Sequence, residues 1–277
     1  MQRGRAFYFL AAFFALFVLF LYGPIVTIGI LSFQGPQGGL TFPMNGVSMH
    51  WFFDLFQQQA VGDIWGAFRR SLMLGLVVMV VTVVVSVLAG LAFRRRFAGA
   101  GLLFYLAIAS LVIPSILISL GVGLIFNQLG LKIHWATSGL GSQLTWTLPF
   151  GLLIMFAVFN RFDKSYEEAA RDQGANAWQV FAHVVLPIIA PSLLGVALFG
   201  FTLSYDEFAR TLLTAGSYNT LPLEIFGMTT NVTTPVIYAL GTLTTVFSFV
   251  IIGVFLATVA LLTRRRARHG SDAGKGV

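Results

Sequence analysis

Six stretches without a charged side chain constrain this sequence more than any other feature. They span residues 6–53, 71–93, 97–131, 133–160, 173–205 and 225–263. A helix needs roughly 20 apolar residues to cross the hydrocarbon core of a bilayer, so each stretch is long enough for one crossing. The stretches are too long and too continuous for barrel strands, and backbone groups in lipid must be satisfied internally. The sequence therefore predicts an all-α polytopic membrane protein with six transmembrane helices.

The composition excludes a soluble globular protein. Charged residues make up 10% of the chain, whereas soluble domains usually carry about 25%. With no cysteine in the sequence, disulfides and thiolate metal sites are excluded. The first apolar stretch is longer than the roughly 7–15 residues of a signal-peptide core, and no small-x-small cleavage site follows it. We therefore expect a retained first helix.

The basic side chains predict the orientation in the membrane. We place the spans near residues 6–32, 70–93, 99–126, 141–160, 188–210 and 237–262. Thirteen of the 17 Lys and Arg then fall on one side: Arg3, Arg5, Arg94, Arg95, Arg96, Arg161, Lys164, Arg171, Arg264, Arg265, Arg266, Arg268 and Lys275. Positively charged loops remain in the cytoplasm, so both termini are predicted to be cytoplasmic. The net charge of +7 thus reflects topology, and no nucleic-acid partner is expected.

Seven of the 27 charged residues lie within residues 161–172, in the long cytoplasmic loop between spans four and five. The local pattern predicts a short helix capped by Ser165, with Glu168 completing a capping box. Glu167 and Arg171 form an i,i+4 pair on its exposed face. Gly174 is predicted to end this helix.

A second short helix is predicted from Ala177 to Leu186, with Asn176 and Gln179 as its cap and Pro187 as its end. Several of its side chains are too apolar for a freely solvated loop and should pack partly on the bundle: Trp178, Val180, Phe181, Val184 and Val185. Local physics alone favours a simple amphipathic linker at the membrane surface.

The same residues resemble a family motif. Glu168-Ala169-Ala170 is followed by three residues, Gly174, nine residues and then Val184-x-Leu186-Pro187. This pattern resembles the EAA motif of ABC importer permeases, with Val184 where Ile is usual. The resemblance implies a type I ABC importer permease fold and a loop, residues 161–187, that seats in a groove of a separate ATPase subunit. It assigns this coupling role to Glu168, Ala169, Ala170, Gly174, Val184, Leu186 and Pro187.

The resemblance covers about residues 65–262 and is finer than one motif. Residues 203–228 are similar to the fifth span and following loop of spermidine and putrescine permeases, through Ser204, Asp206, Glu207, Gly216 and Leu221-Pro222. Residues 110–126 resemble the third span, interrupted at Pro114. The resemblance implies import of a polyamine or related amine. Amino acid derivatives, opines, thiamine and iron are alternatives, because the same subfamily imports them.

The resemblance also implies an assembly in the bacterial inner (cytoplasmic) membrane. The expected partners are membrane lipid, a second permease, two ATPase subunits that bind ATP and Mg²⁺, and a periplasmic solute-binding protein. We expect no cofactor in this chain. Its expected regions are a first helix and periplasmic segment at 1–66, a permease core at 67–262 and a disordered basic tail at 263–277. Residues 50–56 fit either a short interfacial helix or an irregular loop.

Asp206 and Glu207 fall late in predicted span five, with Arg210 one turn further on. Charges inside a membrane normally face a bundle interior or water. Three interpretations are open: a structural pair with Arg210, an acidic lining that attracts a cationic substrate and includes Ser204, or an interfacial position with neither role. Arg210 partly offsets the acidic field.

An intramembrane enzyme and a secondary transporter are the alternative functional classes. An intramembrane enzyme needs converging catalytic groups, but Asp206 and Glu207 diverge by about 100° on a helix. The four histidines lack metal-ligand spacing, so we expect neither catalytic residues nor a metal site. A secondary transporter gives no reason for an EAA loop. We therefore expect a transport subunit and not an enzyme.

Overall fold

The computed structural model describes residues 4–57, 62–95, 97–231 and 234–272. Within those ranges it contains eleven α-helices: α1 Arg5–Leu31, α2 His50–Asp54, α3 Ile64–Phe93, α4 Ala100–Val112, α5 Ser115–Gln128, α6 Leu140–Asn160, α7 Ser165–Asp172, α8 Ala177–Val180, α9 Leu186–Tyr205, α10 Leu221–Asn231 and α11 Val236–Asp272. The predicted all-α class is confirmed. Arg3, Arg96 and Lys275, which the topology prediction used, lie outside the described residues.

Five helical segments in this part of the chain are long and apolar enough to cross a membrane: Ala6–Leu31, Ile64–Phe93, Trp135–Asn160, Ala177–Tyr205 and Val236–Leu261. The third predicted span is instead a pair, α4 and α5, bent by 109°. Pro114 causes the break, because it lacks an N–H and disfavours helical geometry at the preceding residue. Ile113 accordingly adopts extended backbone, with φ −73° and ψ 129°.

The helical segment that contains predicted span five has other limits than the expected 188–210. It begins at Ala177, within the loop of residues 161–187, because Pro187 does not end the preceding helix. A π-helical turn at Phe181–Val185 changes the hydrogen-bond register just before the proline, so its missing N–H is tolerated near the start of α9. The span ends at Tyr205, because the Glu207 carboxylate accepts the backbone N–H of Arg210 and competes with helical pairing.

The chain divides into two compact units. The first unit contains residues up to Ile64 together with Ile225–Val250. Its loop after α1 is organised by the buried Gln34, whose Oε1 accepts the Asn45 N–H at 2.7 Å. The Tyr238 hydroxyl donates to the Leu40 carbonyl at 2.7 Å. Helix α2 resolves the alternatives for residues 50–56 in favour of a short helix.

The second unit contains Trp65–Glu224 and the residues from Ile251 on. Small residues bring its long helices together, as is usual where lipid replaces water. A Cβ on Gly200 of α9 would lie 3.3 Å from the Met79 Cα of α3. The Thr82 hydroxyl of α3 donates to the Thr147 hydroxyl of α6 at 2.8 Å. One apolar core extends from these helices to the loop after α6: Val87, Met155, Phe159, Val180, Val185, Ile189 and Val196.

The expected disorder of the basic tail is corrected for residues 264–272, which continue α11. A preformed transmembrane helix removes the cost of nucleation, and the tail starts with arginines and alanine, which are good helix formers. Residues 273–277 lie outside the described part of the chain.

Candidate functional site

The candidate site is the EAA loop, defined as residues 161–187. Its first helix does not begin with the expected capping box, because Lys164 is the N-cap residue and its side chain makes no cap bond. The Asp163 Oδ1 instead accepts the Ser165 N–H at 2.9 Å. Hydrogen bonds from Ser165 lower the pKa of the exposed Asp163 carboxyl, because they favour its charged form. Ser165 as cap and Glu168 as its partner were therefore wrong assignments.

The predicted helix end at Gly174 is confirmed. Its φ is +84°, in the left-handed region that glycine adopts without penalty. The Gly174 N–H donates to the Arg171 carbonyl at 2.8 Å and the Ala175 N–H to the Ala170 carbonyl at 3.1 Å. These two bonds form a complete Schellman motif, which sets the angle between the two halves of the loop.

The second half of the loop begins with the expected capping box. The Gln179 N–H donates to Asn176 Oδ1 at 2.9 Å, and the Asn176 N–H donates to Gln179 Oε1 at 2.8 Å. Val180 and Val185 are buried in the core, whereas the Trp178 side chain is 71% exposed. The loop is thus anchored by its valines and presents an aromatic ring outward.

Glu167 does not lie on an exposed face as expected. Its Oε1 accepts from Arg94 Nη1 at 2.5 Å, while Arg171 Nη2 stands 4.0 Å from its other oxygen. The Arg94 guanidinium also lies over the rings of Phe159 and Phe162, at 5.3 and 5.2 Å from their centroids. Glu167 therefore ties α7 to the end of α3 and the end of α6.

Arg94 is a residue that sequence reasoning missed. It was counted only as a topology signal within a basic triplet, and 73 residues separate it from Glu167. Nothing in the local pattern around either residue indicates the pair.

The motif residues divide into two sets. Ala170 packs against the apolar core, and Val184 is half-buried. The others are exposed in the single chain: Glu168, Ala169, Gly174, Leu186 and Pro187. Glu168, Ala169, Gly174 and Trp178 are exposed residues of a loop that the apolar core holds in place. Such an arrangement suits contact with another protein, because both its anchor and its backbone geometry are fixed beforehand.

The second set of candidate residues lies at the far end of α9. Asp206 is exposed, while Ser204 is buried and donates to the Gln143 side chain of α6. The 20-residue helix between this end and the EAA loop is about 30 Å long, the thickness of a hydrocarbon core. The structure therefore does not bring the two candidate sites together.

Arg210 is fully buried and pinned by α6. Its Nη1 donates to the Thr145 hydroxyl at 2.6 Å, and its guanidinium lies 5.2 Å from the Trp146 ring centroid. The Glu207 carboxylate accepts a hydrogen bond from the backbone N–H of Arg210, at 2.9 Å. Among the described residues, neither Asp206 nor Glu207 forms an ion pair with its guanidinium. Of the three open interpretations, the structural pair with Arg210 is therefore not supported by an ion pair in this part of the chain.

Residues 82–268 match the family of binding-protein-dependent transport system inner membrane components. The chain belongs to that family. This permease is 27% identical over 264 residues to the spermidine/putrescine transport system permease protein PotC of Haemophilus influenzae, covering 93% of this chain and 97% of that protein. It is 28% identical over 232 residues to the putrescine transport system permease protein PotI of Escherichia coli, covering 81% of each chain.

Solved structures agree with the fold. A bacterial ABC transporter involved in alginate import matches with a TM-score of 0.66 at 17% identity, over 94% of this chain and 98% of that chain. The methionine ABC transporter MetNI, in an inward-facing form, matches with a TM-score of 0.57 at 16% identity, over 76% and 98% of the two chains. Family and fold together make this chain a transmembrane permease subunit of an ABC importer.

Proposed function

We propose that the permease imports a polyamine, such as spermidine or putrescine, or a related amine. The single observation that carries this substrate class is the exposed acidic residue Asp206 at the end of α9. A cation that leaves water for a low-dielectric cavity gains from a nearby carboxylate. The polyamine permeases among its relatives support the same class.

Glu207 and Ser204 take different parts in this proposal. Glu207 is half-buried and holds the turn after α9 through Arg210. Ser204 fixes α9 against α6, so it positions the acidic end of the helix and does not line the path. Because Thr145 and Trp146 hold the guanidinium of Arg210, that guanidinium forms no ion pair with Asp206 in the described part of the chain, and the carboxylate can meet a substrate amine.

The proposed assembly has a second permease, homologous or identical to this chain, and two ATPase subunits that bind ATP and Mg²⁺. A periplasmic binding protein delivers the substrate. The exposed surface of Glu168, Ala169, Gly174 and Trp178 seats in the ATPase subunit, on the cytoplasmic side of the bacterial inner membrane, where both termini also lie. Closure of the ATPase pair moves the loop as a rigid body and switches the spans from an inward-facing to an outward-facing arrangement.

The assembly is tested by co-expressing the tagged permease with its candidate partner subunits and isolating it by its tag. ATPase and second-permease bands at stoichiometric amounts are expected. A permease that transports in vesicles without any ATPase subunit is a secondary transporter, and that result contradicts the assembly.

The substrate is tested in proteoliposomes that contain the whole complex, ATP inside and the binding protein outside. Labelled putrescine and spermidine should accumulate, and unlabelled polyamine should compete. Uptake that responds to thiamine, iron or an opine but not to polyamines contradicts the amine proposal and leaves the importer function intact.

A further inference from the structure

A cleft of about 740 Å³ opens between the end of α3 and the EAA loop. Its volume falls in the range of roughly 300–1,000 Å³ that is usual for ligand sites. Among the described residues, four cationic side chains line it, namely Arg94, Arg95, Lys164 and Arg171, against the single carboxylate of Glu167. The lining therefore carries a formal net charge of +3. This excess of positive charge favours the binding of an anion, and contact with an ATPase subunit gives no reason for a cleft of this charge.

The cleft is apolar below its charged mouth. Leu91, Val180 and Phe181 contribute apolar side chains to its lining. A freely soluble anion such as inorganic phosphate gains nothing from such a floor, because its own surface is wholly polar. An amphipathic anion gains from both parts, since its charge meets the mouth and its hydrocarbon covers the floor.

The cleft also lies where the apolar helix α3 ends and basic residues follow. The last residue of α3 is the apolar Phe93, and Arg94 and Arg95 follow it directly. Val80, Val84 and Leu88 are each at least 50% exposed and are spaced four residues apart on α3. Ala92, the next position on this stripe, lines the cleft. These exposed apolar side chains therefore form a stripe along α3 that suits contact with an acyl chain and ends at the basic residues of the cleft.

We propose that this cleft binds an anionic phospholipid, such as phosphatidylglycerol, in the leaflet on the side of the EAA loop. The phosphate lies among Arg95, Lys164 and Arg171, and an acyl chain follows the exposed stripe of α3. Basic pockets at the ends of transmembrane helices recognise headgroups in this manner. Because Arg95 follows α3 while Lys164 and Arg171 belong to the EAA loop, the lipid bridges the two and supports the contact between Arg94 and Glu167.

The test uses the purified permease–ATPase complex in detergent, titrated with phosphatidylglycerol and followed by native mass spectrometry. One saturable lipid per permease is expected, whereas phosphatidylcholine should show no saturable site. The double change Arg95→Gln and Lys164→Gln should weaken binding about tenfold or more, because each cation near a charged headgroup contributes appreciably. Arg69→Gln with Lys132→Gln removes the same charge outside the cleft and should leave binding unchanged.

Four results overturn the proposal. Equal affinity for the two lipids, or wild-type affinity in the Arg95 and Lys164 variant, shows that the cleft does not select an anionic headgroup. Displacement of the lipid by glycerol phosphate at equal concentration shows a site for a soluble anion. Lipid that binds only after the ATPase subunits are removed shows that the cleft belongs to the protein interface. Lipid binding is measured without transport, so its failure leaves the proposed function untouched.

Discussion

The Arg94 guanidinium donates to the Glu167 carboxylate at 2.5 Å, beside the rings of Phe159 and Phe162. The two side chains are 15% and 13% exposed, so both charges are largely withdrawn from water. The contact joins the end of α3 to the first helix of the EAA loop. Because of this contact, a movement of the loop is transmitted directly to a membrane-spanning helix.

Removing one charge of this pair should loosen the loop. Glu167→Gln is expected to cost about 1.5–3 kcal/mol of local stability, since the amide oxygen replaces a charged acceptor with a neutral one and the largely buried Arg94 is left without its counter-charge. Hydrogen exchange of the α7 amides measures this loss. Arg171→Gln is the control, because that side chain is 59% exposed and 4.0 Å from Glu167. Equal exchange in the two variants contradicts the anchoring role.

Glu168→Lys should weaken binding of the ATPase subunit without loosening the loop. Glu168 is exposed and is the acid of the EAA motif, so its charge is available to a partner. We expect at least about fivefold less co-purified ATPase, the effect of roughly 1 kcal/mol at an interface. Glu167→Lys serves as comparison, because it should instead lower the thermal stability of the permease alone. If Glu168→Lys leaves the ATPase yield intact, the assignment of this acid to the interface is wrong.

Gly174→Leu should uncouple ATP hydrolysis from transport in a permease that still inserts. No atom outside the adjacent residues lies within 4 Å of an added Cβ, so the cost comes from the positive φ and amounts to about 1 kcal/mol. Substrate-stimulated ATP hydrolysis in the reconstituted complex is the measurement. Gly174→Asn is the matched variant, because asparagine tolerates this backbone region, and it should retain most coupling. Normal stimulation and transport in the leucine variant would refute the prediction.

Asp206→Asn should lower uptake of an amine while the yield of complex stays constant. The change removes a charge from an exposed side chain that holds no ion pair with Arg210 among the described residues. Glu207→Gln should also preserve yield, because the amide oxygen can still accept the Arg210 N–H. Uptake and yield are measured on the same preparations, with Arg210→Gln alongside. Rescue of a yield defect in Asp206→Asn by Arg210→Gln would restore the structural-pair interpretation.

The local features of the candidate site were readable from the sequence. Gly174 and the Asn176–Gln179 cap act over three or four residues, so residue type and spacing determine them. The same holds for the apolar stretches, because the bilayer fixes the length that a span needs. The EAA pattern could likewise be recognised from one short segment.

The sequence was a poorer guide where neighbouring residues compete for the same structural role. Ser165 and Asp163 can both serve the first turn of α7, and the carboxylate two residues earlier takes the N–H. Pro187 is an ordinary helix terminator, yet the π-helical turn before it keeps the chain helical. Each outcome depends on a small difference between two local geometries, and residue propensities do not resolve such differences.

By itself, the sequence determined that this protein is helical, spans a membrane and carries the EAA pattern between two late spans. Only the tertiary structure decided that Glu167 pairs with Arg94 across 73 residues, that Arg210 packs on Trp146, and that Pro114 turns one span into two bent helices. The reason is physical. Apolar length and capping act along the chain, whereas the partner of a charge depends on which distant helices pack together.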